Sequence, residues 1–230
     1  STYESSSAIE IGKLFYQFPV GDFTITAGPK IRQDDMLAVW PNSYPSDTIL
    51  DSLTYAGATA AYALAEGAGA GVSYANGNWN ASLLFVSEAG GNADPTAGGI
   101  LTSGGSDDIT GQLAWTGEGI TIAAVYTIAD GGVTDGSSSA DDYEAWGISG
   151  AWQPNIDSVF VPSSISAGFG SKTVDKETKY DGDLKRGQTD IMDEITWSVG
   201  LEWSDFIVDG NTLGLGIGSA EGWRDESTYD

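Results

Sequence analysis

Apolar and polar residues alternate along most of this chain with a period of two. The clearest example is residues 191–203, where Ile195 and Trp197 fall on one side and Thr196 and Ser198 on the other. Such alternation is typical of a β-strand with one apolar and one polar face, and no stretch holds the 3.6-residue period over the length of a helix. The pattern predicts an all-β protein.

The alternation recurs in about ten segments, each of which is predicted to be a strand. They cover residues 7–18, 23–32, 67–76, 78–87, 109–115, 120–129, 143–153, 164–170, 191–203 and 212–219. In the second segment, Lys30 and Arg32 fall on the polar side with Thr26. A slip of the apolar phase near Gly12 predicts a β-bulge in the first segment.

The connections between these segments alternate between short and long. Residues 19–22, 76–78 and 116–119 are short links, whereas residues 33–66, 88–107 and 130–142 are long ones. The alternation continues through residues 154–163, 171–190 and 204–211, although the two short connections in this part, residues 154–163 and 204–211, are longer than the earlier short ones. Outer-membrane barrels show this asymmetry because one end carries tight turns and the other carries loops. The spacing therefore predicts a transmembrane, antiparallel, up-and-down β-barrel.

Aromatic residues cluster beside the shorter connections. The set predicted to lie at a membrane interface consists of Tyr74, Trp79, Trp115, Trp152 and Trp203. Aromatic girdles of this kind mark the interfaces of membrane barrels. The alternative is that aromatic residues simply favour strands and cores. A looser set near the long connections, Phe85, Tyr126, Tyr143 and Trp146, is predicted to form the opposite girdle.

The composition argues against several classes of function. The chain has 33 acidic and 9 basic residues, a formal net charge of −24, and neither Cys nor His. Nucleic-acid binding is not expected because phosphate contacts need Lys and Arg. Without Cys or His there is no thiol nucleophile, imidazole base or usual zinc site, and no enzyme activity is predicted. No apolar run approaches the roughly 18 residues of a spanning helix, so only a closed barrel could cross a bilayer.

One stretch carries a resemblance to a known family. Residues 14–57, "LFYQFPVGDFTITAGPKIRQDDMLAVWPNSYPSDTILDSLTYAG", resemble the cyanobacterial outer-membrane porins that join a surface-layer-homology module to a β-barrel, the carbohydrate-selective or iron-uptake type. The match is sharpest in "GPKIRQDDMLAVWP" and "YPSDTILD", and the Gly-rich hairpins and acidic loops beyond are similar in a less specific way. The resemblance implies a homotrimer in the bacterial outer membrane, anchored to cell-wall polymer through the N-terminal module, that passes small, mainly inorganic solutes.

The chain departs from that family at both ends. A surface-layer-homology module and a final strand with a terminal aromatic residue are both expected to be absent, because the sequence opens at Ser1 and stops at "GWRDESTYD". About ten strands are predicted, whereas porins with an aqueous lumen have roughly sixteen. Residues 1–230 are therefore expected to be one domain, a segment of a longer barrel, with a closed ten-strand pore as the alternative.

Residues 33–66 are the predicted constriction of the pore. The segment is long for a structureless surface loop, and its apolar residues, Met36 and Val39 among them, favour burial inside the barrel. An outward loop used in subunit contacts is the alternative. The predicted constriction set is Lys30, Arg32, Asp34, Asp35, Trp40, Asp47 and Asp51. Its acids would set a negative field, faced by the two basic residues, that filters ions by sign and size.

Other readings stay open beside the ion-conducting porin. A sugar-selective channel of the same fold would line its track with aromatic residues such as Trp40 or Tyr44. A soluble, acidic, β-rich adhesin or binding module is the other alternative, although glycines hold the polar side of residues 212–219, which a soluble sandwich would usually fill or charge. No cofactor and no metal site are predicted because the Asp/Gly stretches lack the ligand order of a calcium loop, but a bound divalent cation stays open.

Overall fold

The chain folds mainly as one β-sheet. The computed structural model describes residues 11–42, 51–94, 98–102, 104–131, 133–134, 138–139, 142–156, 158, 160–177 and 189–225. The strands of the main sheet are β1 (Leu14–Val20), β2 (Phe23–Arg32), β3 (Glu66–Asn76), β4 (Trp79–Ser87), β5 (Asp107–Gly117), β6 (Ile120–Asp130), β9 (Asp142–Trp152), β10 (Ser164–Glu177), β11 (Thr189–Ser204) and β12 (Thr212–Asp225). Strands β7 (Val133–Thr134) and β8 (Ser138–Ser139) form a separate short hairpin, and two 3-10 turns cover Gln33–Met36 and Asp51–Thr54.

The ten strands follow one another in an antiparallel, up-and-down order. Their spatial order is β1, β2, β3, β4, β5, β6, β9, β10, β11, β12. Within the described residues β1 and β12 are the two edges and are not paired with each other, so the sheet is open. The predicted all-β, up-and-down architecture with about ten strands is confirmed, and the alternative of a ten-strand closed pore is not what these strands form.

Two strands extend further than the alternation predicts. β10 continues to Glu177 and β11 begins at Thr189, so the predicted long connection over residues 171–190 is shorter in the structure. The sequence pattern fails there because the extension is rich in charged and polar residues, and apolar alternation marks only the part of a strand with an apolar side. The predicted irregularity near Gly12 lies slightly further on, in a register shift between Leu14 and Tyr16.

The sheet exposes its large apolar side chains and buries its small polar ones. In β6, Ile122, Tyr126 and Ile128 are 51%, 43% and 45% exposed, whereas Ala123 and Thr127 between them are buried. Residues paired across antiparallel strands lie on the same face, so the registers extend this outer face over the sheet. Its large members include Leu83, Ile109, Leu113, Ile122, Ile128, Trp146, Ile148, Phe169, Trp197, Val199, Leu215 and Ile217. A water-soluble sheet would normally bury this face.

The opposite, inner face carries mainly hydroxyl, amide, alanine and glycine residues, together with the buried apolar side chains of Ile31, Leu84, Val86 and Val125. Its buried polar members include Thr26, Asn80, Ser82, Thr110, Gln112, Thr127, Ser149, Ser164, Ser166, Thr196 and Ser198. Residues 33–42 and 51–65, the described parts of the connection between β2 and β3, lie against many of these side chains, and we call these residues the inner segment. It contacts strands from β3 to β12. Its contacts therefore extend over eight neighbouring strands of the sheet.

Candidate functional site

The two ends of the inner segment are joined by Gln33, which is fully buried. Its backbone N–H donates to the carbonyl of Ala65 at 2.9 Å. Its side-chain Nε2 donates to the Ala61 carbonyl at 3.0 Å and to Thr110 Oγ1 of β5 at 2.8 Å, while its Oε1 accepts from Leu64 N at 3.0 Å. Because a buried amide is costly without partners, this set of bonds holds both ends of the segment to the sheet.

Hydroxyl groups of the inner face bind the backbone of the segment. Thr127 Oγ1 donates to the Ala61 carbonyl at 2.8 Å and Thr196 Oγ1 to the Gly57 carbonyl at 3.0 Å. Ser149 Oγ donates in the same way to the carbonyl of Ala56. An irregular segment buried against a sheet leaves backbone groups without ladder partners, and these side chains supply them.

The first part of the segment is held by side chains of β4 and β5. Ser82 Oγ accepts from Ala38 N at 2.7 Å, and Gln112 Nε2 donates to the Val39 carbonyl and to Tyr62 Oη, both at 3.0 Å. Burial raises the pKa of Tyr62 to about 12, although its hydrogen bond with Gln112 lowers it. Tyr62 is therefore a neutral, fixed side chain at the centre of the inner segment.

Three glycines of the inner face admit the segment at backbone distance. A Cβ on Gly168 would lie 1.7 Å from the Ala56 carbonyl oxygen. Cβ atoms on Gly147 and Gly170 would lie 2.3 Å from Ala58 Cβ and 2.7 Å from Ala58 Cα. We call Gly147, Gly168 and Gly170 the glycine seat. Its glycines allow two backbones to approach more closely than any side chain would permit.

Four charged members of the predicted constriction set lie at one side of the inner segment, paired with oppositely charged groups. Arg32 makes two hydrogen bonds to the Asp34 carboxylate, and Lys13 binds Asp35. Lys30 lies 3.5 Å from Glu66, on β3. Because each charge has a close partner of opposite sign, its field further away is reduced.

The expected inner-face position of Lys30 and Arg32 is wrong. The register of β2 with β3 shifts between Gly28 and Ile31, so that Ile31 lies opposite Gly67 and is fully buried on the inner face. The residues on either side of Ile31 consequently turn to the outer face. One extra residue in a strand exchanges its two faces, which the simple alternation could not anticipate.

The other members of the set lie in or beside the inner segment. Trp40 is half-buried, its Nε1 donates to the Thr54 carbonyl at 3.2 Å, and its ring packs 4.9 Å from that of Tyr62. Asp51 begins the 3-10 turn Asp51–Thr54, but its side chain is outside the described part of the structure. Asp47 and Tyr44 lie outside the described residues.

The predicted interface aromatics lie on the outer face at the short-turn end of the sheet. Trp79 is directly opposite Trp115, and Trp152 is opposite Ile120 at the same end. Tyr74 packs against Phe23 at 5.0 Å between ring centroids, and Trp203 lies 6.4 Å from Phe206. Trp79 and Trp152 are 56% and 45% exposed. The structure therefore brings this set together in a row, which we call the aromatic row.

The second aromatic set divides between the two faces. Phe85, Tyr126 and Trp146 lie on the outer face, whereas Tyr143 lies on the inner face, with Lys172 Nζ 4.5 Å from its ring centroid. The outer face at this end is acidic: Asp107, Asp130, Asp142 and Glu144 border a cavity of about 600 Å³. The predicted opposite girdle is thus incomplete, because carboxylates share its place.

Within the described residues no helix is long and apolar enough to span a membrane. The same part of the chain contains no group of three or more His, Cys, Asp or Glu residues arranged to hold a metal ion. Comparison of the chain with protein families, with curated proteins and with solved structures found no match.

Proposed function

We propose that this chain is the greater part of a porin barrel of a bacterial outer membrane, through which small solutes, chiefly inorganic ions, diffuse passively. The observation that carries the proposal is the polarity of the two faces of the sheet: large apolar side chains are exposed on the outer face, and the inner face is lined mainly by small and polar residues. Water-soluble monomers rarely expose a continuous apolar surface, whereas a barrel in lipid requires one.

The dimensions and ends of the outer face fit the same proposal. β5, β6 and β9 are 11 residues long. A tilted transmembrane strand takes about 9 to 11 residues. The aromatic row bounds the apolar face at the short-turn end, and carboxylates bound it at the other. Tryptophan favours the level of lipid headgroups, and charged groups require water beyond it.

The inner segment supplies the proposed constriction. It is fixed to the inner face by hydrogen bonds from Gln33, Thr127 and Thr196 and by the close approach at Gly168. Fixed backbone inside a barrel narrows the space that remains for water and solute. Because the two edges of the sheet are open, the proposed barrel needs further strands, about sixteen in all, to surround a lumen.

The remaining parts of the proposal rest on the resemblance of residues 14–57. They are assembly as a homotrimer, attachment to cell-wall polymer through an N-terminal module, and passage of mainly inorganic solutes. A sugar-selective channel gains no support from Trp40, because that ring packs within the inner segment. A soluble adhesin would leave the whole apolar outer face in water, which is unfavourable.

The test is conductance, in planar lipid bilayers, of the full-length protein that includes the strands completing the barrel. We expect discrete conductance steps with a preference for cations, since the net charge is −24. That preference should weaken toward 1 M salt, where the Debye length falls to about 3 Å. Absence of conductance from protein that needs detergent for extraction would contradict the porin. Saturable block by sugars would favour the sugar-selective channel, and extraction without detergent would favour the adhesin.

A further inference from the structure

Few charged side chains lie on the inner face of the sheet. Among the strand residues whose side chains the structure describes, they are Asp108 of β5, Lys172 of β10, and Glu194 and Glu202 of β11. Lys172 is directly opposite Glu194 on the neighbouring strand, so these two charges lie side by side. Asp108 faces Val86 and Ala129 instead, neither of which carries a charge.

Asp108 is nearly buried and has no cationic partner among the described residues. Its side chain is 6% exposed, and the ion pairs of the described part involve other acids. The charges that act on it are those of Glu88 and Asp107, which are both negative. When it is ionised, this carboxylate attracts a cation, because its charge adds to those of Glu88 and Asp107 and no fixed positive charge offsets it.

Asp108 lies near the start of β5, at the end of the sheet that carries the long connections and beside the inner segment. Asp108 is opposite Ala129 of β6, and Ala129 is opposite Tyr143 of β9. Asp108 and Tyr143 therefore lie two strands apart, at the same position along the strand direction. Tyr143 Oη lies 3.5 Å from the Ala60 carbonyl of the inner segment, and Lys172 of β10, the strand beyond Tyr143, has its Nζ 4.5 Å from the Tyr143 ring centroid. Asp108 and Lys172 therefore lie on either side of the point where the inner segment contacts the sheet.

We propose that Asp108 determines the preference of the pore for cations, and that Lys172, on the other side of Tyr143, limits it. This inference rests on the proposed function and names the charge that acts on the permeating ion. It replaces Asp34 and Asp35 in that role, because Arg32 and Lys13 already pair with them.

The test compares two variants that each remove one carboxylate charge, in planar bilayers at low salt and at alkaline pH, where carboxylates are ionised. Asp108→Asn should lower the ratio of potassium to chloride permeability about two- to fivefold, the change expected for one charge a few ångströms from the ion. Asp35→Asn, the matched control, should change the ratio less because Lys13 shares its field. An unchanged ratio for Asp108→Asn, or an equal fall in both variants, would overturn the inference.

A second variant covers the case in which Asp108→Asn does not insert. Lys172→Gln removes the neighbouring positive charge and should raise the same permeability ratio, whereas an unchanged or lower ratio would contradict the inference. Conductance of the unaltered chain separates the two proposals: without it the porin fails, and with it but without these shifts only the role of Asp108 fails.

Discussion

Replacing Gly168 with alanine is expected to displace the inner segment from the inner face of the sheet. The added Cβ would lie 1.7 Å from the Ala56 carbonyl oxygen and 2.8 Å from Ser149 Oγ. Carbon and oxygen atoms that are not bonded to each other need about 3.3 Å. The oxygen belongs to the backbone, which cannot rotate away as a long side chain can, so the segment must move by more than 1 Å, roughly the overlap of the two atoms.

The inner segment should then bind the sheet less strongly, because hydrogen bonds close to Gly168 are lost. Moving the segment lengthens the bonds from Ser149 to the Ala56 carbonyl and from Thr196 to the Gly57 carbonyl. Each is worth about 1 kcal/mol, and each buried group left without a partner costs about 1 to 3 kcal/mol. A loss of about 2 to 4 kcal/mol is expected, enough to leave the segment detached for an appreciable part of the time.

The assay is single-channel conductance together with thermal unfolding in the same lipid. If the inner segment narrows the pore, Gly168→Ala should give larger or fluctuating steps and a lower unfolding temperature. Gly111→Ala is the matched control, because a Cβ at Gly111 of β5 meets nothing within 4 Å. Steps and an unfolding temperature equal to those of the unaltered chain would refute the argument that the glycine seat holds the constriction.

Two further substitutions test the inner and outer faces separately. Gln33→Ala should destabilise the chain by about 2 to 4 kcal/mol in urea unfolding, because it removes the hydrogen bonds to Ala61 and Thr110 and leaves the partly buried Leu64 N–H without its acceptor; a loss below about 0.5 kcal/mol, which is usual for surface positions, would count against it. Ile148→Arg should cost about 2 to 4 kcal/mol of folding free energy in lipid vesicles, as expected for arginine near the bilayer midplane, and a neutral result would place that residue outside the membrane.

Much of the fold was predictable because a strand's side chains alternate with a period of two. Trp197 and Thr196 fall on opposite faces in the sequence pattern and in the structure, where Trp197 is 37% exposed and Thr196 is 7% exposed. The aromatic row was predictable for a similar reason: short turns fix which strand ends are neighbours, so Trp79 and Trp115 meet across β4 and β5.

The reversal of faces in β2 was not predicted, although one local signal preceded it. Pro29 follows Gly28 inside the strand, and a proline there often marks a bulge or an edge. Counting alternation straight through that pair placed Lys30 and Arg32 on the wrong face. A single unpaired residue decides between the two registers, and its position depends on the neighbouring strand.

The contact between the glycine seat and the inner segment could not be predicted from local sequence patterns, because the two are far apart in the chain. Gly168 and Ala56 are separated by more than a hundred residues, and neither position signals the other. Glycines at Gly168 and Gly170, two residues apart on one face, were the available hint of a close backbone approach. Gln33 gave no hint, since an amide side chain is usually exposed and only tertiary contacts bury it.

The accessibility of spin labels along one strand tests most directly whether the apolar outer face lies against lipid. The chain has no Cys, so each label can be attached to a single introduced cysteine. In β6, labels at Ile122, Ala124 and Ile128 should collide with oxygen dissolved in lipid and not with a water-soluble nickel complex. Labels at Thr127 and Ala129 should show low oxygen accessibility, because both positions are buried on the inner face. Greater access to the nickel complex than to oxygen at Ile122 and Ile128 would contradict the membrane-facing outer surface.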